Sequence, residues 1–438
     1  MRTLAILYLF LMTFTVGYCQ TDMNSEKKIP INLPGVLKLA GANNLTIKQY
    51  SLMFHLSVSE IEKADEWFLP TLFVGPELHF LHGANMNAPG LLIPDANQKE
   101  LWLEGGFGAE WDFNDGIYNV LAKKQQSIAV QEQGQAGRNK VILGAIGTYY
   151  DLLTAQFKYY QLIDLLAQAD TISSQIKVQV DAGLRYESEY LLAQTSYSHI
   201  QIELANAQIQ LMEKSNDLLN ILNIDTNALL MSRDTGIVPL QLMQNIADTS
   251  MTSYNQYMQN RPEYKGMMAE LNAIQEEKKT TTIGMFMPKL YLGSMPDGVL
   301  GTFSSPYNST YRVDGALLWD IPLGRIFYAG DLKMYNDKIS IQQNDLANFS
   351  NQVHNEVNNA RAQIILSMQQ MKTATTALKQ SKLALQQSIE RERLGTVLPF
   401  EVFQSEEFYV QAELDYLTSV SDYNKAQYAM YVAIGNNL

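Results

Sequence analysis

The chain has 438 residues, 46% of them hydrophobic and 18% charged, with a net charge of −13. That balance argues against nucleic acid as a partner and against a polybasic membrane-surface protein, and the length suits a large elongated subunit better than one small core. The single cysteine, Cys19, excludes an intrachain disulfide and a thiolate metal site.

Residues 1–19 account for that cysteine. Arg2 is followed by an apolar run from Leu4 to Met12, and Gly17 and Cys19 are small enough to precede a signal-peptide cleavage site. The run is too short to span a bilayer. A second reading has Cys19 acylated as a lipoprotein anchor, although the bulky Tyr18 just before it counts against this. In either case the mature chain leaves the cytoplasm.

Residues 20–33 are polar and read as a mobile lead-in. Residues 34–66 follow a helical pattern, with Leu37, Ala40, Leu56 and Ile61 among the apolar positions. The period then changes to two. In a first strand, 69–81, Leu72, Val74, Leu78 and Phe80 alternate with Thr71, Glu77 and His79. Residues 82–99, rich in Asn, Gly and Pro, read as a long loop. A second strand, 100–113, has Leu101, Leu103, Phe107, Ala109, Trp111 and Phe113 on one side and Glu104, Glu110 and Asp112 on the other. Strands this long with one wholly apolar face either cover a soluble core or face lipid around a polar lumen.

From Ile117 to Leu222 there is no proline and the period is helical throughout. Ile142, Ile146, Tyr149, Leu153, Tyr160 and Ile163 make a seam on the first arm. The one obvious break is Asp181-Ala182-Gly183, which reverses the chain into a shorter arm, Glu187–Leu222. A first arm of about 65 residues would be roughly 100 Å long, which no compact domain accommodates. Residues 223–261 have no steady period and read as an equatorial connector packed outside the helices.

The same succession then starts again, which divides the chain into a first unit, 20–222, and a second, 262–438. A helix over 262–284 leads to strands at 285–294 and 310–323, separated by a Gly/Pro/Ser/Asn loop, and then to a helical hairpin over 324–434. Phe286-Met287-Pro288 echoes Phe68-Leu69-Pro70, and Trp319-Asp320 matches Trp111-Asp112. Val353, Val357, Ala360, Ile364, Met371, Ala374, Leu378 and Leu385 carry the new seam up to Arg393-Leu394-Gly395. On the return, Val402, Ser405, Tyr409, Ala412, Tyr416, Ser419, Tyr423, Ala426 and Met430 form one narrow stripe at alternating steps of three and four. Tyr190, Ala193, Tyr197, Ile200, Leu204, Ala207, Leu211 and Leu218 fall in the same phase, with Gly183 matching Gly395 and Glu189 matching Glu401.

In this order of elements, and most specifically in the two turn-plus-heptad units, Gly183-Leu184 through Glu189 and Gly395-Thr396 through Glu401, the chain resembles the TolC family of outer-membrane efflux channels. The resemblance implies a mixed α/β membrane protein. Long antiparallel α-helical hairpins would form a periplasmic tunnel, and four strands per subunit would join a homotrimeric twelve-stranded outer-membrane β-barrel. It also implies a periplasmic adaptor (membrane fusion protein) and an inner-membrane pump as partners. Elementary physics agrees on one point: four amphipathic strands cannot close a barrel, because two edges would stay unpaired in lipid.

No nucleotide fingerprint, GxSxG or HExxH occurs, and neither an enzymatic reaction nor a cofactor is expected. His79 and His82 could form a metal pair only if the strand end curls. Nineteen methionines are scattered as gap-fillers. Glu189 and Glu401 fall in the first turn of each returning helix, where a carboxylate complements the dipole. The resemblance adds an entrance ring made by these two glutamates, with Gly183, Leu184, Gly395 and Thr396 as adaptor-docking tips. Val397 and Gln404 depart from the family pattern, so a finer gate network is not carried over. Like charges drawn to one axis repel, and bound cations are the simplest compensation. The competing function is a secreted coiled-coil stalk with soluble β tips.

Overall fold

A computed structural model describes residues 27–86, 89–225, 228–234, 236–242, 251–295, 297–302, 312–394 and 396–438. The segment read as a signal peptide, with Cys19, and the turn residue Gly395 lie outside the described residues.

Four long helices form the body. α3 (Phe113–Asp181) has 69 residues and α8 (Gly330–Arg393) has 64, so each runs for about 100 Å. Each returns as a shorter helix, α4 (Glu187–Leu222) and α9 (Pro399–Ala433). The Asp112 carboxylate caps α3 by accepting from the Asp115 N–H at 3.1 Å, and Pro399 opens α9 where its missing N–H is no loss. α3 packs on α4, α8 on α9, and α9 also on α3. No described helix is long and apolar enough to cross a membrane.

That third contact revises the seam on α9. Ala412, Ser419, Tyr423, Ala426 and Met430 are buried as expected, but so are Phe403, Val410, Leu417 and Val420 on a second stripe. α9 lies between two helices and buries two faces. On α3 the expected seam holds through Leu153 and then moves. Tyr160 and Ile163 are exposed, while Leu162, Leu165 and Ala169 are buried. A straight helix drifts about 20° per heptad, so one buried line cannot keep a constant step over this length.

The segment read as 34–66 is two helices, α1 (Leu33–Asn43) and α2 (Leu45–Asp65). Asn44 breaks it: its side-chain oxygen caps Thr46 and Ile47 while its amide donates to the Ile221 carbonyl at 2.7 Å. The lead-in is also structured. β1 (Lys28–Ile31) pairs in parallel with β4 (Leu229–Ser232), within the stretch read as an outside connector. Together they close the main core, where Val36, Ala40, Ile146, Tyr149, Leu218, Leu222 and Leu230 are packed. The connector further carries α5 (Met251–Asn260), and Asn424 of α9 bonds the Val238 carbonyl and the Leu240 N–H.

The sheet stands at one end of the bundle. β2 (Thr71–Met86) and β3 (Leu92–Asp112) extend well past the expected limits, and most of the segment read as the loop 82–99 is strand. α6 (Pro262–Thr280) leads to β5 (Lys289–Met295) and β6 (Asp297–Thr302), both paired to β3. β7 (Arg312–Leu318) pairs with β5. β5 and β6 therefore follow one line, and the sheet has four rails in the order β2, β3, β5/β6, β7. The second arm does not start as one helix either: α7 (Leu323–Tyr328) ends at Ala329, whose φ of 49° is left-handed.

Candidate functional site

Register decides which residues share a face of the sheet. Leu72 pairs with Phe107, Leu78 with Leu101, Trp111 with Leu290, and Leu290 with Leu317. The positions expected to be apolar on each strand therefore fall on one continuous face. Ile321, inside the segment 310–323 read as a strand, lies beyond the end of β7 in the link to α7. The opposite face starts with Asp112, Glu110, Lys289 and Tyr291. Lys289 Nζ stands 2.9 Å from Asp112 Oδ2, and the Tyr291 hydroxyl donates to Glu110 Oε1 at 2.9 Å. His79 and His82 occupy opposite-face positions, because β2 runs straight through them.

Among the described residues the single layer of sheet has no partner layer, and Leu72, Leu78, Leu292 and Leu317 are exposed. β2 and β7 are its edges.

At the far ends of the helices are the two tips. Gly183 has φ +71°, with its N–H bonded to the Val180 carbonyl and the Leu184 N–H to the Gln179 carbonyl, both at 2.9 Å. This pair of bonds is a Schellman closure, and glycine enters its left-handed residue without strain. The second tip has the matching outer bond, Thr396 N–H to the Arg391 carbonyl at 2.9 Å. Leu184, Tyr186, Leu394 and Leu398 are exposed around the tips.

Glu189 and Glu401 are each paired within the chain. Arg185 Nη1 lies 2.7 Å from Glu189 Oε2, and Arg391 Nη1 lies 2.6 Å from Glu401 Oε1. Each carboxylate therefore has an arginine counter-charge within its own chain. Arg391 sits ten residues from Glu401 across the turn, so no helical spacing points to it, whereas Arg185 to Glu189 is a four-residue step that was legible.

No protein-family model matches the sequence, and no curated protein matches it. Solved structures do. The chain is similar to the outer-membrane channel OprN (TM-score 0.74, 15% identity, covering 92% of this chain and 90% of that one). It is similar to a membrane protein from Pseudomonas aeruginosa (TM-score 0.76, 17% identity, 94% of each chain). The CmeC outer membrane channel of Campylobacter jejuni gives a TM-score of 0.72 at 16% identity, covering 92% of this chain and 85% of that one. The chain has the fold of an outer-membrane channel.

Within this channel fold the α3–α9 contact near the tips holds a carboxylate that sequence reasoning missed. Glu406 lies one turn from Phe403 and one from Val410, which pack with Leu162 and Leu165. Burial raises its carboxyl from 4.5 to about 7. A raised value favours the protonated form in the fold. Its stabilising contribution is therefore complete below the ordinary carboxylate range and is lost as pH rises through about 7. Thermal stability and amide-exchange protection of residues 400–413 are expected to fall between pH 5 and 8 in the wild type, and to fall less in Glu406→Gln. An equal slope in both proteins would remove Glu406 as the cause.

Proposed function

We propose that the chain is one of three identical subunits of an outer-membrane exit duct. The duct passively conducts substrates delivered by a periplasmic adaptor and an inner-membrane pump. Its seat is the outer membrane, with the helices extending into the periplasm as a tunnel. The carrying observation is the single-layer sheet whose register gathers the apolar positions on one face and leaves both edges open. In lipid those edges must pair, and three copies of four rails close a twelve-stranded barrel with the charged face inside.

The two halves of the chain, built on one plan, would make the tunnel wall pseudo-sixfold. Helix tips about 100 Å away from the sheet are the parts that reach furthest towards an adaptor, and their exposed leucines suit a docking surface. Glu189 and Glu401, repeated by the threefold axis, would form the entrance ring. Energy comes from the partners, since the chain carries no nucleotide motif. The stalk reading needs a soluble β tip, and a single sheet layer with an uncovered apolar face supplies no core for one.

Purified protein reconstituted in planar bilayers is expected to give trimer-sized, long-lived conductance steps. A strain lacking the gene is expected to retain an exported compound that the wild-type gene clears. A mature chain that is soluble and monomeric without detergent and gives no conductance would overturn this function.

A further inference from the structure

The helices at the foot of the sheet follow the order of the strands they serve. α2 leads into β2, α3 follows β3, α6 leads into β5, and α7 with α8 follows β7. α2 packs on α3, α3 on α6, and α6 on α8, which repeats the strand order β2-β3-β5-β7. The row therefore ends in α2 on one side and in α7–α8 on the other, beneath the two open strand edges.

Both ends carry exposed apolar side chains. The short 3-10 turn Glu66–Phe68 that follows α2 is held firmly: the ring of Trp67 lies against Gly116, where an added Cβ would meet it at 2.2 Å, and the Phe68 carbonyl accepts from Trp111 Nε1 at 2.7 Å. Phe68 and Leu69 are nevertheless exposed. At the other end, the left-handed Ala329 splits α7 from α8. A cleft of about 500 Å³ opens between α7 and the turn after α6, walled by Ile283, Phe286, Ile326 and Leu332. The first half of the chain has no such break, for α3 starts directly after β3. The charged residues of the cleft wall, Arg325 and Asp331, are paired with each other at 2.9 Å, so the cleft offers an apolar, electrically balanced surface.

We infer that the cleft beneath α7 is a socket for Phe68 and Leu69 of a second copy of this chain, clasping the subunits at the foot of the barrel. The inference rests on the trimeric duct reading. Once β7 of one subunit pairs with β2 of the next, the helices below must meet in the same order as they do within the chain. The clasp places the apolar plug where one barrel edge is sealed to the other, and it gives the seal a contact outside the lipid.

The test is chemical. Phe68→Cys and Ile326→Cys combined in one chain are expected to yield a disulfide-linked trimer under mild oxidation, while neither single variant does. Phe68→Ala and Ile326→Ala are each expected to lower the temperature at which the solubilised trimer dissociates, and the double variant to fall no further than the worse single one. A conducting trimer that gives no disulfide, with additive thermal effects, would overturn the clasp and leave the duct standing, lipid then filling the cleft. A wild-type protein that forms neither trimer nor conductance would instead overturn the duct.

Discussion

Leu317→Arg is expected to lower the amount of sheet assembled in the outer membrane, whereas Ala316→Arg, one residue away, should assemble fully and alter conductance. The two positions are adjacent in sequence and opposite in face. Leu317 pairs with Leu290 on the apolar side, and Ala316 pairs with Tyr291 on the side that carries Glu110 and Lys289. An arginine facing lipid costs ~2–4 kcal/mol near the midplane and much less towards the interfaces. Leu317 is the last residue but one of β7, at the foot of the sheet, so the cost per subunit falls towards the lower, interfacial end, and a trimer would repeat it three times. The measurement is the amount of protease-resistant trimer in the membrane fraction, followed by single-channel conductance of whatever assembles. Equal tolerance at both positions would mean that the apolar face does not meet lipid.

Locking the tips is expected to abolish export while leaving the barrel intact. Cys19 is the chain's single cysteine, so Thr396→Cys bridged between subunits by a bifunctional maleimide gives an interpretable crosslink. Trimer content should be unchanged and transport should stop. The ion pairs refine the electrostatic side of this expectation. The exposed Arg391–Glu401 pair contributes only about 0.2–1 kcal/mol, so its main effect is on charge at the mouth. Arg391→Ala leaves Glu401 without its partner and should raise cation preference in bilayers, and Glu401→Gln should lower it. Full export through a crosslinked trimer, or ion selectivity indifferent to both substitutions, would remove the gate from the tips.

Much of this architecture was legible along the chain because it depends on neighbours in sequence. A period of two over Leu101–Trp111 and proline-free helical periods over the long arms state which faces are apolar, and the structure places strands and helices there. Gly183 was readable as a reversal because a left-handed residue closes the helix, and the observed φ of +71° is that conformation. Asn44 was not readable as a break. Its capping bonds are local, but the bond that anchors it reaches Ile221, far along the chain. The lead-in and the connector were misread for the same reason. Neither Lys28–Ile31 nor Leu229–Ser232 has much local pattern, and each becomes a strand through its pairing with the other.

The sequence by itself determined the long helices, the main strands with their apolar faces and the two reversals, all properties carried by residue periodicity. Tertiary structure decided the rest. It set the register that joins the separate apolar faces into one, and the second buried stripe on α9. It brought Arg391 onto Glu401, and it opened the cleft at Ala329. Each of these depends on which distant segment comes alongside. A residue's spacing reports which side of its own helix or strand it occupies, and only the packed chain reports what stands opposite.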